Sequence, residues 1–245
     1  MIYAVSMSRP QNVAPTKALV DAEPWWVVPE RQHRAYRKAG AKHLISDGVG
    51  GAISVARNAA IEHFLSRGDG DWFTVMDDDV KMLGFVSWDD AGKYHVESLT
   101  VADWVEMLPM VHQATGAFMV GPLYSANPFY ASPKVAVAAF SGALQSIHRR
   151  VLEDGHRYDE SLPMSEDIEM VARVVSQYGT VARLNWVIID PQHHQAGGLQ
   201  DYFLPDVRAA TDAATTKRLV SLYPNLLMEH PKRTGALAWR RNVVL

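Results

Sequence analysis

The stretch DWFTVMDDDV, residues 71–80, joins a run of strand-forming residues directly to three consecutive aspartates. Trp72 to Met76 offers large side chains to both faces of an extended chain, which suits a central strand covered on each side. Three like charges at the end of such a strand repel one another unless solvent or a cation offsets them. In open α/β sheets, ligands bind at the carboxyl ends of the strands, so the triplet stands where a site is expected.

Residues two apart in an extended chain point the same way, so Asp77 and Asp79 are predicted to converge while Asp78 faces elsewhere. A hard divalent cation, Mn2+ or Mg2+, takes one or two carboxylates together with substrate phosphates, and a nucleotide diphosphate is its natural companion. The competing reading is an Asp-rich turn in solvent.

Outward from this segment the chain reads as alternating strands and helices, the rhythm of an α/β sheet. IYAVSM, WWVV and KHLIS are predicted strands, with a helix over residues 30–39 between the last two. A helix from Ser54 to Arg67 leads into DWFTVM. GKYHVESLT reads as an irregular excursion or an edge strand, and VADWVEMLPMVHQAT as a helix interrupted or kinked at Pro109. AFMVGPLY is the next strand, followed by a loop over 125–134 and a strand that breaks at Ser141-Gly142. A helix runs from Ser165, as its N-cap, to Gly179, and VARLNWVIID is the last strand. The tail beyond residue 191 has helical patterns between prolines and no clear strand.

The chain has 245 residues, 48% of them apolar, and no cysteine, which excludes disulfides and thiolate zinc sites. No signal peptide or membrane span is read, and a cytoplasmic location is expected. A formal charge of −3 argues against a protein that binds nucleic acid by overall electrostatics. Any polyanion would be met locally, by Arg31, His33, Arg34, Arg37 and Lys38 or by Lys232, Arg233, Arg240 and Arg241 around Trp239.

Three further constellations could carry chemistry. In PMSEDIEM, Glu166, Asp167 and Glu169 fill the first turn of a helix, where the helix dipole favours carboxylates. One of Glu166 and Asp167 could instead face a cleft and deprotonate an acceptor hydroxyl. His193 and His194, after the last strand and before a Gly-Gly pair, could supply a metal ligand or a phosphate contact, or be solvated. Arg57, early in its helix, could take a pyrophosphate or a uracil edge, or be a surface arginine. Phosphate-loop, serine-hydrolase and zinc-protease motifs are absent.

The order of these features, from SMSRP through the Arg57-Asn58 helix and DWFTVMDDDV to FSGALQSIHRRVLEDGHRYDESLPMSEDIEMVARVVSQYG, resembles the glycosyltransferases of the GT-A fold. The resemblance implies an α/β, Rossmann-like three-layer sandwich with a mostly parallel central sheet. Residues 1–200 would form the nucleotide-sugar-binding and catalytic domain, and 201–245 a helical extension packed on it. It implies Asp77 and Asp79 as metal ligands, with His193 or His194 completing the shell, and Asp167 as the catalytic base beside Glu166. Ser8, Arg9, Arg57, Asp77 and Asp78 would contact a UDP-sugar donor.

In overall form and in its HHQAGG segment, the chain is similar to phage enzymes associated with TET-type base hydroxylases. That narrower resemblance implies 5-hydroxymethylpyrimidines in DNA as the acceptor. A nucleotidyltransferase of the same fold is the alternative reaction, although it would want a Gly-rich basic loop after the first strand. A catalytically silent binding module is the alternative from another class.

Overall fold

A computed structural model describes residues 1–6, 8–48, 52–136, 142–191, 205–233 and 235–240. Its main element is a ten-stranded sheet. The strands are β1 (Ile2–Val5), β2 (Trp25–Val28), β3 (His43–Ser46), β4 (Trp72–Asp77), β5 (Val80–Trp88), β6 (Tyr94–Ser98), β7 (Met119–Leu123), β8 (Val135–Ala136), β9 (Leu144–His148) and β10 (Ala182–Pro191). They lie in the order β3-β2-β1-β4-β9-β7-β10-β5-β6, with β8 also on β10. β1, β2, β3 and β4 are mutually parallel, as are β7 and β10. β9, β5 and β8 run against their neighbours, so the sheet is mostly parallel in sense.

Alternation along the strands explains why a sheet of such apolar runs has helices on both faces. Tyr3, Val5, Val27, Phe73 and Val75 point to one face. There they meet Ala60, Ile61 and Phe64 of α3 (Ile53–Arg67) and Met170, Val171 and Val174 of α6 (Glu166–Tyr178). Ala4, Trp26, Val28, Trp72 and Met76 point to the other. That face is covered by α1 (Val13–Val20), α2 (His33–Lys38) and α4 (Val101–Thr115). The result is three layers. On the second face a buried polar chain links Trp104 Nε1 to Ser146 Oγ at 2.8 Å, and Ser146 Oγ to Thr74 Oγ1 at 2.9 Å.

Several elements differ from the sequence reading. α1 was not anticipated, because Pro10 and Pro15 punctuate a segment that reads as turn. β5, nine residues directly after the aspartates, was not anticipated, whereas GKYHVESLT supplies the edge strand β6, one of its two readings. Pro109 sits inside α4 without interrupting it, and a Thr100–Asp103 capping box fixes the start of that helix. Ser165 precedes α6 in the left-handed region, at φ 62°, and its side chain makes no cap.

After α5 (Arg149–Glu153) and α6, the tail supplies α7 (Pro205–Leu222) and a hairpin ladder of β11 (Leu227–Glu229) and β12 (Leu237–Trp239). The ladder corrects the expectation of a strandless tail. Leu219, Leu226 and Leu227 join the same apolar cluster as α3 and α6. Tyr223 donates its hydroxyl to Glu169 at 2.7 Å. No helix among the described residues is long and apolar enough to cross a membrane.

Candidate active site

β4 ends at Asp77, and Asp78 and Asp79 form the turn into β5, so strict strand alternation stops at the first aspartate. The triplet is nevertheless divided. The Asp78 side chain is fully buried, while those of Asp77 and Asp79 are 24% and 19% exposed.

Asp78 is enclosed by its own fold. Ser6 Oγ and Arg9 Nη2 donate to its two oxygens, Asn12 Nδ2 lies 3.3 Å away, and Thr16 Oγ1 donates to its carbonyl at 3.1 Å. Burial pushes its carboxyl up to about 7, against the pull of Arg9. Asp79 accepts from Arg9 Nη1 at 2.8 Å. Arg9 therefore binds two adjacent aspartates and fastens the turn to the end of β1. Arg9 and Asp78, both expected to contact a donor, are engaged here with each other, with Ser6 and with Asp79, while Arg9 Nε has no hydrogen-bond partner among the described residues. Ser8, at φ 63°, donates its N–H to Gln32 Oε1 and accepts from Gln32 Nε2, both at 2.8 Å.

Asp77 belongs to a second cluster. Arg57, buried on α3, donates from Nη2 to Asp77 at 3.0 Å and to the Gly142 carbonyl at 2.9 Å, and from Nη1 to Glu166 at 2.7 Å. Its guanidinium carbon lies 5.3 Å from the ring centre of Tyr158. Asn58 holds the Tyr158 backbone by two bonds, at 2.8 and 2.9 Å. Burial opposes the charge on Arg57, but Asp77 and Glu166 outweigh it and keep the guanidinium protonated. Burial likewise raises the Asp77 carboxyl and lifts Glu166 to about 7, with Arg57 opposing both shifts. Arg57 is thus an internal clamp that also lines the cavity described below, and it is not the surface arginine that was one of its two readings.

Between these groups runs the backbone of Gly142. Because β9 is antiparallel to β4 and β7, its beginning lies at their carboxyl ends, and the Ala143 carbonyl accepts from Asp77 N–H at 3.0 Å. Gly142 N–H donates to Asp167 Oδ2 at 2.6 Å. A Cβ at residue 142 would stand 2.8 Å from both Arg57 Nη atoms and from Asp167 Cβ, so only glycine fits.

Asp77, Glu166 and Asp167 then line a cavity of about 310 Å³ with Tyr124 after β7 and with Arg208 and Asp212, one turn apart on α7. Tyr124, Arg208 and Asp212 escaped the sequence reading, because they sit in segments that carry no motif, and Gly142 was read only as part of the Ser141-Gly142 break. Burial raises the Asp212 carboxyl, with Arg208 opposing.

The left-handed residues Ser8 and Ser165 immediately precede Arg9 and Glu166, so backbone strain is held next to both clusters. His193 and His194 lie outside the described residues. Among the described residues no group of three or more His, Asp or Glu could hold a metal ion.

No known protein family matches the chain, and no curated protein matches it. Solved structures do resemble it. S. aureus TarS is 11% identical with a TM-score of 0.51, over 91% of this chain and 42% of that one. A shorter TarS chain, residues 1–349 in complex with UDP-GlcNAc, is 8% identical with a TM-score of 0.49, over 89% of this chain and 66% of that one. A UDP-glucose pyrophosphorylase complexed with UDP-glucose is 7% identical with a TM-score of 0.41, over 89% and 98%. The present chain thus spans just under two thirds of the shorter TarS chain, and it has the GT-A-like α/β fold of TarS.

Proposed function

We propose that the protein is a glycosyltransferase that moves a hexose from a UDP-sugar to an acceptor hydroxyl. The observation that carries this reading is the meeting of Asp77 and Asp167 across Gly142 in one cavity at the carboxyl ends of β4 and β7. Residues 1–200 would hold donor and catalytic groups, and the extension 201–245 would close the cavity with Arg208 and Asp212. TarS, which has this fold, is known in complex with UDP and with UDP-GlcNAc, and the same donor class is proposed here.

Asp167 is the proposed base. One of its oxygens is fixed by Gly142 N–H, and the carboxylate faces the cavity. The acceptor oxygen attacks the anomeric carbon and gives its proton to Asp167, while the bond from that carbon to the diphosphate breaks and its electron pair leaves with the phosphate oxygen. Glu166, tied to Arg57, positions Asp167 at the start of α6.

Asp77 and Asp79 fit a divalent cation. Each meets its arginine through a single oxygen and stays partly exposed, and two carboxylates with substrate phosphates suffice for Mn2+ or Mg2+. Such an ion would neutralise charge on the departing diphosphate. His193 or His194 remains the proposed additional ligand.

Hydroxymethylated DNA is the proposed acceptor. Arg34, Arg37 and Lys38 are exposed on α2, where they would be available to phosphates. The nucleotidyltransferase alternative is disfavoured by Arg9, the one cation after β1, being bound to Asp78 and Asp79.

The test is transfer from UDP-sugars, with Mn2+, to DNA carrying 5-hydroxymethylcytosine, read by nucleoside mass. Asp167→Asn is expected to lower turnover about 100-fold or more while UDP-sugar still raises the melting temperature. Full turnover in that variant would remove Asp167 from the role of base.

A further inference from the structure

The cavity wall is rich in acid. Asp77, Glu166, Asp167 and Asp212 line it, against two cations, Arg57 and Arg208. A diphosphate entering such a space is repelled unless a cation is free to receive it. Arg57 is not free. Its Nη1 is engaged with Glu166 and its Nη2 with Asp77 and the Gly142 carbonyl, and its side chain is 2% exposed.

Arg208 is differently placed. It is half-buried in the first turn of α7 and makes no hydrogen bond and no ion pair with any described residue. Asp212, one turn further on, is the neighbour whose ionised form it favours, through space and without a bond. Helix stability does not explain this arrangement. A cation in the first turn opposes the helix dipole, and a cation that precedes its acidic partner by one turn is the weaker order for such a pair. Arg208 instead lines a cavity whose other guanidinium is taken.

α7 is firmly mounted. Leu219 is buried in the cluster of α3 and α6, Thr216 Oγ1 donates to the Gly235 carbonyl at 2.8 Å, and Arg218 Nη2 donates to Asp159 Oδ2 and Ser161 Oγ, both at 3.0 Å. A group carried on a fixed helix binds a ligand without the ordering cost that a loop incurs.

We propose that Arg208 binds the diphosphate of the donor directly and meets its charge as the sugar leaves. This rests on the reading of the protein as a transferase that uses a UDP-sugar, and it adds to that reading a cation supplied by the chain itself. As the acceptor oxygen bonds to the anomeric carbon, the bond from that carbon to the diphosphate breaks and its electron pair stays on the phosphate oxygen, while the acceptor proton goes to Asp167. The guanidinium offers two parallel N–H bonds to the phosphate oxygens on which that charge appears. Its contribution does not require the divalent ion proposed for Asp77 and Asp79.

The test is calorimetric titration with EDTA present, so that no divalent ion contributes. Wild type is expected to bind inorganic pyrophosphate, and to bind UDP more tightly than uridine. Arg208→Gln should weaken pyrophosphate and UDP about ten-fold or more and leave uridine as it was. Arg208→Lys should recover part of the loss, since the charge stays and the paired N–H geometry goes. Lys217→Ala, at an exposed cation further along α7, is the control for surface charge and should change nothing.

Pyrophosphate and UDP affinities that are unchanged in Arg208→Gln, or a wild type that binds neither without a metal, would overturn the assignment. Thermal stabilisation by UDP-sugars separates it from the reading it rests on. Stabilisation in Mn2+ that is the same with and without Arg208 removes the proposal and leaves the transferase. Pyrophosphate binding that needs Arg208, in a protein that no UDP-sugar stabilises, keeps the diphosphate site and removes the UDP-sugar donor.

Discussion

Arg9 and Arg57 each hold two carboxylates, but the two members of each pair lie at very different separations from one another along the chain. Arg9 takes Asp78 and Asp79, neighbours in a single turn, and its cluster is packed against α1 and Tyr36. Arg57 takes Asp77, 20 residues away, and Glu166, 109 residues away, and its cluster opens on a cavity. The Arg9 clamp ties one turn to the end of β1. The Arg57 clamp brings together three elements and leaves Asp167 facing the space between them. Within one acidic triplet, the difference separates Asp78, enclosed in the scaffold, from Asp77, which opens on the cavity.

The comparison is broken most severely by Arg57→Met. Removing one partner of a buried ion pair strands the others, so this variant should lose about 3–5 kcal/mol of stability in urea unfolding. Arg9→Met leaves only Asp78 fully buried, since Asp79 can turn to water, and a smaller loss of about 2 kcal/mol is expected. Equal losses for the two would mean that the clusters do not differ as described. Gly142→Ala tests what only the Arg57 cluster possesses, a backbone wedged against the guanidinium. Overpacking there should cost about 1–3 kcal/mol and displace Asp167, so turnover should fall as well.

The smallest effect sharpens the contrast by pH. Glu166 titrates at about 7 in the folded protein against 4.5 as an ordinary glutamate, chiefly through burial. Between those values the folded state keeps a proton that the unfolded chain has released. The residue's contribution to stability is therefore greatest in acid and declines as pH rises toward 7. Glu166→Gln mimics the protonated form, so the stability advantage of wild type over this variant should shrink from pH 4.5 to 7. A difference that stays flat would show that Arg57 keeps Glu166 ionised throughout.

Much of this was legible in the sequence where the signal is local. The strand before Asp77, the helix carrying Arg57 and the helix opening with Glu166 and Asp167 all follow from periodicity and stop residues. The separation of Asp78 from its neighbours was also anticipated, although a turn and not strand alternation produces it. What stayed hidden depends on pairing across the fold. Nothing near Arg57 announces Glu166, and Gly142 resembles any isolated glycine until β9 is inserted between β4 and β7. Arg208 and Asp212 carry no motif, and α7 brings them to the cavity only once Leu219 is buried against the α3–α6 face.

The span of the Arg57–Glu166 pair also bears on how the protein is made. Arg57 and Asp77 leave the ribosome close together, but Glu166 follows some ninety residues later, and Gly142 shortly before it. Until then a guanidinium destined for the interior has only one of its two counter-charges. A half-synthesised chain therefore gains little by closing the sheet over it, and the first four parallel strands are expected to remain open to water and to chaperones until α6 emerges. The residues that complete the site are in this sense also the signal that the chain is long enough to fold.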